Sequence, residues 1–291
     1  MNSQILLNGL VNGLTIALLA LAFNVVYQST GVFHIAAAGI YALSPYLAWA
    51  CIGAGCPDWL AFLVPLATAV LLSALLEVAN HGPLERKSAP MGVHLVSSLG
   101  MYIMIVHFTA LIWGSETKLL RHGLDSTLNV AGMTITGAQL IAACASLVTL
   151  ILFFGWLRSA RLGLFLRALS DNPTEMALRG YNIRRLRVFA FAVSGFLAAE
   201  SAVLVAYDVG FDPHGGIHAL TLAIVAVIIG GRQTFIGPLL GSLLLGLVRA
   251  QVVWNLSARW QDAVTFILLA GFLLLRPEGL LNPQGRVEAN Q

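Results

Sequence analysis

From Met1 to Pro57 the chain carries no Asp, Glu, Lys or Arg. A water-soluble domain cannot be covered from such a stretch, because charged side chains normally dominate a soluble surface. The rest of the chain continues the pattern: charged residues make up 10% of the 291 residues, and the mean hydropathy is +0.84. A lipid bilayer is the solvent that suits this composition, and long apolar runs satisfy their backbone there as helices.

Runs of the roughly 17–25 residues needed to cross a bilayer are read at Gln4–Tyr27, Phe33–Ile52, Trp59–Asn80, Gly92–Trp113, Gly137–Leu157, Val188–Tyr207, Ile236–Asn255 and Trp260–Leu275. A ninth run, Pro213–Ile229, is short and bracketed by Gly215-Gly216 and Gly230-Gly231. It reads either as a tilted or broken helix lining a polar cavity or as a plain short span. The expected fold is therefore an all-α polytopic bundle of eight or nine spans forming a single domain over 1–291. The N-terminus lacks the basic region of a signal peptide, so its first apolar run is expected to be retained.

Basic residues in the short connections set the orientation. Arg86 and Lys87 lie in the connection His81–Met91, and Arg158, Arg161, Arg167, Arg179, Arg184, Arg185 and Arg187 lie in 158–187. Both connections are expected in the cytoplasm. With nine spans, the N-terminus is then outside, Arg232 lies in a cytoplasmic turn, and the tail with Arg276 and Arg286 is inside. The extracytoplasmic loop 115–136 balances Lys118 and Arg121 against Glu116 and Asp125. Alternation of Leu128, Val130, Met133 and Ile135 around Gly132 predicts a short hairpin there, as a docking surface for an outside partner or a cap on the bundle.

Several chemistries are not encoded. No GxxxxGK[ST] occurs and the only lysines are Lys87 and Lys118, so the chain has no P-loop of its own. HExxH is absent, and Ser194-Gly195 lacks the glycine two residues before the serine that a nucleophile elbow needs. Cys51, Cys56 and Cys144 form no metal-binding pattern; Cys51 and Cys56 either pair outside the membrane or remain separate thiols. Basic residues concentrated at one membrane face do not make a nucleic-acid surface. The chain reads as a non-enzyme without bound metal.

Polar groups inside apolar spans are then the informative ones. They include Asn8, Asn12, Asn24, Gln28, His34, Glu77, His94, His107, Glu200, Arg249, Gln251 and Asp262. Ionisable groups at membrane depth are costly and usually face a cavity or a partner. Glu200, amid Phe196, Leu197, Ala198 and Ala199, is either protonated, paired with a base, or exposed to a water-filled path where it meets an ammonium group. His34 and Tyr41, two turns apart, either point into the same path or are packed. Gly9, Gly13, Ala17 and Ala20 share one face of the first span, and Gly237, Gly241 and Gly246 share one in the eighth, which predicts close helix packing within the subunit.

The segment Arg161–Arg187 carries Asn172-Pro173 as a helix start, a short amphipathic helix over Thr174–Arg179, and Gly180 as its stop. Such a surface helix either plugs into a cytosolic motor or rests on anionic membrane lipid.

This segment resembles the permease subunits of ATP-binding-cassette importers of the branched-chain amino acid type, the LivH/LivM family. The similarity rests on Arg167-Ala168, Asn172-Pro173, Ala177, Gly180, Asn182-Ile183 and Arg185, then Phe191, Ser194-Gly195 and Leu197-Ala198. It extends to Gly31 through Tyr46, to Pro213, Gly230-Gly231 and the glycines of the eighth span, and to the closing Arg276-Pro277-Glu278-Gly279-Leu280. The resemblance implies a second homologous permease, two cytosolic ATP-binding subunits holding ATP and Mg, and a periplasmic or extracellular substrate-binding protein, in a bacterial-type inner membrane. It implies ATPase coupling through Asn172, Pro173, Glu175, Ala177, Arg179 and Gly180, and a substrate pathway for which His34, Tyr41 and Glu200 are the candidates.

The short chain is more like the LivH half than LivM. The sugar-permease sequence D-L-S-V-G is missing. Departures from the pattern fall at His34, Ala37, Pro45 and Ala199-Glu200-Ser201-Ala202. Branched-chain or hydrophobic amino acids lead as solute, with urea or short amides as the alternative. An ion-coupled secondary transporter, with Glu200 or Asp262 carrying a proton, is the rival of another class.

Overall fold

The computed structural model describes residues 3–120, 127–130 and 133–281. Arg121, Asp125, Gly132 and Arg286, used in the sequence reading, lie outside the described residues. The long helices are α1 (Ser3–Thr30), α2 (Ala36–Gly53), α3 (Asp58–Leu76), α5 (Met91–Trp113), α6 (Gly137–Ser159), α9 (Ile183–Asp208), α11 (Gly237–Asn255) and α12 (Gln261–Leu275). The short ones are α4 (Gly82–Arg86), α7 (Arg161–Asp171), α8 (Pro173–Leu178) and α10 (Gly215–Gly230). Among the described residues, eight helical stretches are long and apolar enough to cross a membrane, and α10 is a shorter apolar helix. All eight expected spans are present. The third departs from regularity at its end, where a π-helical turn over Glu77–His81 joins α3 to α4.

Local chemistry accounts for the boundaries. Thr136 and Gln139 form a reciprocal capping box at the start of α6. Asn172 and Asn182 cap α8 and α9 by accepting from the Glu175 and Arg185 N–H groups, at 3.0 and 3.1 Å. The start of α2 has no cap of its own, and Ser98 of α5 supplies one by accepting from Ala36 N at 2.9 Å. Gly180, at φ +83°, turns the chain out of α8 as a left-handed stop.

The predicted hairpin is present as β1 (Thr127–Val130) and β2 (Met133–Thr136), antiparallel, with Leu128 opposite Ile135. Gln4 side-chain bonds to the Thr134 N–H and carbonyl, both at 2.8 Å, tie β2 to the first turn of α1. That end of the bundle carries the hairpin. At the other end of α1, Gln28 donates to the Arg232 carbonyl at 2.9 Å. The closing segment lies there too, with Leu280 and Leu281 donating to the carbonyls of Ile229 and Gly230.

α1 and α9 are the central helices, and α5, α6 and α12 turn apolar faces outward, with Leu111 and Leu274 almost fully exposed. Without a hydrophobic drive between helices in lipid, close backbone approach holds them together. A Cβ on Gly9 would lie 2.9 Å from the Leu247 Cα, and one on Gly246 would run into the Gly9 carbonyl. The glycine faces read from the sequence therefore meet each other, α1 against α11. Gly241 does the same against Ala226 of α10, and Gly195 of α9 against Ala69 of α3. The three cysteines are free thiols.

Candidate functional site

A cavity of about 410 Å³ opens between α1, α2, α9 and α10. Such a volume falls in the range of roughly 300–1,000 Å³ usual for small-molecule sites. It exists because α10 starts part-way along the bundle: Gly216 packs directly on Ala38 and Ala42 of α2, and the connection from α9 dips in to reach it. Asp212 initiates α10, accepting from the N–H groups of His214 and Gly215 at 2.9 Å each. The ninth run is thus a short helix lining a cavity with polar groups.

The walls are mostly apolar, from Ile16, Leu19, Ala42, Ala202 and Leu222. Tyr41 lines it, as do Asn12, Thr15 and Ser201. Ser201 Oγ donates to the Thr15 carbonyl at 2.8 Å, which fastens α9 to α1 behind the wall. Pro45, inside α2, has no N–H to give the carbonyl four residues earlier, so the Tyr41 carbonyl lacks its helical donor at a position lining the cavity. Asp212 and Arg249 line it too, with His218 and Gln261 beside them; His218 Nε2 lies 3.8 Å from Asp262 Oδ1.

Arg249 Nη1 contacts Asp262 Oδ1 at 2.9 Å and Thr265 Oγ1 at 3.1 Å, and Nη2 reaches Gln261 Oε1 at 3.4 Å. α11 runs antiparallel to α1, so Arg249 stands toward the hairpin end. There Lys118 and Phe211 exchange backbone hydrogen bonds at 2.9 Å, joining the segment after α5 to the rim of the cavity.

The other predicted pathway residues sit elsewhere. Glu200 is buried and faces α6, accepting from Thr149 Oγ1 at 2.6 Å, and is not among the cavity-lining residues. His34 is fully buried in a nest of rings, 4.7 Å from Phe191 and 5.7 Å from His81 between centroids.

The His34 nest adjoins an ionic cluster that sequence reasoning did not assemble. Arg187 Nε pairs with Glu77 Oε1 at 2.7 Å in the π-helical turn, both side chains buried, and Arg187 Nη1 reaches Glu85 at 3.2 Å. His94 stands 3.8 Å from Glu85, and His81 and His94 bring their Nδ1 atoms to 3.3 Å. Glu77 was visible as an intramembrane carboxylate, but Arg187 read as one of several arginines in a basic connection. Asp212 was also missed; the signal available was an N-cap residue followed by Pro213 before a Gly-Gly helix start.

The connection 158–187 folds as two short helices, not one. α7 buries Gly163, Leu166 and Leu169 against the bundle and holds α8 at the end opposite the hairpin. α8 occupies Pro173–Leu178, matching the predicted Thr174–Arg179 to within a residue. Its exposed face carries Glu175 and Arg179, 3.9 Å apart, and Leu178, 83% exposed.

The profile of a family described as branched-chain amino acid transport system / permease component matches residues 5–273. The chain is 26% identical to the high-affinity branched-chain amino acid transport system permease protein LivH of Salmonella typhimurium, covering 99% of this chain and 97% of that one. It is 29% identical to the corresponding BraD of Pseudomonas aeruginosa, again over 99% and 97%. Among solved structures, PsaBC from Streptococcus pneumoniae in complex with Fab aligns with a TM-score of 0.49 at 14% identity, covering 94% of this chain and 91% of that one.

Proposed function

This chain belongs to the branched-chain amino acid transport permease family, and from that premise we propose that it carries branched-chain or other hydrophobic amino acids inward as the membrane-spanning subunit of an ATP-driven importer. The observation that carries the reading is the pairing of a solute-sized cavity toward the hairpin end with an exposed two-helix segment at the opposite end. A translocation subunit needs both: a place for solute and a handle for the motor.

The hairpin end faces outside, with the N-terminus, and receives solute from a substrate-binding protein. The end with α7, α8 and the C-terminus faces the cytoplasm, which agrees with the positive-inside rule. There two ATP-binding subunits, holding ATP and Mg, dock on the segment containing Asn172, Pro173, Glu175, Ala177, Arg179 and Gly180. A second homologous permease completes the path. The chain itself performs no bond chemistry. Tyr41 touches the solute, while Glu200 ties α9 to α6 and His34 packs its ring against Phe191 and His81 behind the wall.

Tagged chain purified in mild detergent should bring down P-loop ATPases and a second permease in stoichiometric amounts, and leucine uptake by the native membrane should stop with vanadate. Recovery of the chain alone, with uptake abolished by an uncoupler and indifferent to vanadate, would replace this reading by ion-coupled transport.

A further inference from the structure

We infer that the cavity is built for a zwitterion, with Arg249 receiving the carboxylate of the solute and Asp212 receiving its ammonium group. The inference rests on the functional reading above and narrows it: it separates α-amino acids from urea and short amides.

A solute entering this largely apolar space loses water, and a charge buried without a partner is strongly penalised. Among the lining residues there is one guanidinium and one carboxylate. A zwitterion pairs both. An acid alone leaves Asp212 without a counter-charge, an amine alone leaves Arg249 to Asp262 only, and a neutral amide brings neither charge.

Arg249 is arranged to receive rather than merely to pair. Its side chain is only 14% exposed and is held by three side chains of the first turns of α12, all on Nη1 and Nη2. Its Nε has no hydrogen-bond partner among the described residues, which leaves a donor edge for a carboxylate. Asp262, its ionic partner, is half-exposed and does not line the cavity, so solvent screens that pair more than a contact inside the cavity.

Asp212 commits only Oδ1 to capping α10. Its Oδ2 has no hydrogen bond among the described residues, and an ammonium group is the solute part that would use an acceptor. The apolar remainder of the cavity, Ile16, Leu19 and Leu222, then takes an aliphatic side chain.

The test uses the permease assembled with its ATPase subunits in lipid nanodiscs, without the binding protein, and measures tritiated leucine binding with four competitors: unlabelled leucine, isovalerate, isoamylamine and urea. Leucine should compete best and urea not at all. Asp212→Asn keeps an oxygen for the α10 cap, so the helix start survives while the charge is removed; it should cut the preference for leucine over isovalerate by about tenfold. Arg249→Gln should cut the preference for leucine over isoamylamine by a similar factor.

Size-exclusion profile and recovery of the ATPase subunits verify that both variants are assembled. Wild-type preferences in both assembled variants, or no leucine binding to the wild-type complex, would overturn the assignment. Either result leaves the importer reading standing if vanadate-sensitive uptake with the binding protein persists. Loss of that uptake in the wild-type system would overturn the functional reading instead.

Discussion

Arg187 and Glu77 are 110 positions apart and meet inside the bundle. Removing one member of a buried ion pair leaves the other charge uncompensated, at a typical cost of about 3–5 kcal/mol. Arg187→Ala should therefore lower the melting temperature in detergent sharply, and a melting point unchanged from wild type would show that the pair contributes nothing. Glu200 poses the opposite case. Glu200→Gln retains an oxygen for the Thr149 hydroxyl, so leucine uptake should remain near wild type, whereas Thr149→Val strands a buried acceptor at a cost of about 1–3 kcal/mol. A change of solute selectivity in Glu200→Gln would return this residue to the path. Intramembrane Glu77 and Glu200 were both recognisable as residues that need partners. Which partner each took depended on which helix faces met, and nothing local to Glu77 or Glu200 encodes that.

Helix boundaries were more readable, because caps and stops are short-range devices. Asn172 and Gly180 act in the structure as their positions in the sequence suggest, and Asn182 adds a cap to α9 that the sequence reading did not assign. Gly180→Val places a β-branched residue at φ +83°, a conformation such residues avoid. It should impair coupling, measured as ATP hydrolysed per leucine imported, while the spans stay folded; an unchanged ratio would remove Gly180 from the coupling segment.

In the bundle, Gly246→Val would force the α1 and α11 backbones apart, since even a Cβ there runs into Gly9. Overpacking of this kind typically costs about 1–3 kcal/mol, and the variant should elute as aggregate in size-exclusion chromatography. α7 escaped the sequence reading because its apolar residues, spaced for one helix face, sit among arginines and read as a basic connection. Tertiary burial of Gly163, Leu166 and Leu169 makes the helix.

At the scale of the molecule, contacts sort the chain into two ends: the hairpin, the first turn of α1 and Arg249 at one, and Arg232, α7, α8 and Leu281 at the other. Single cysteines placed at Thr127 and at Thr174, in a chain with Cys51, Cys56 and Cys144 replaced by serine, should react with a membrane-impermeant maleimide from opposite sides. Thr127 should label in intact cells and Thr174 only after lysis; the reverse would invert the orientation.

The sequence alone determined that the chain is a helical membrane bundle, where its long helices run, that a short helix follows Asn172-Pro173 and stops at Gly180, and which glycines permit close packing. These follow from properties that act over one or two turns: hydropathy, capping, and the absence of a Cβ. Tertiary structure decided where the cavity lies, that Tyr41, Asp212 and Arg249 share it, and that Glu200 and His34 do not line it. The reason is geometric. A helix presents every side chain to some neighbour, and only the packing of α1, α2, α9 and α10 around a helix that begins part-way along the bundle selects which of them meets open space.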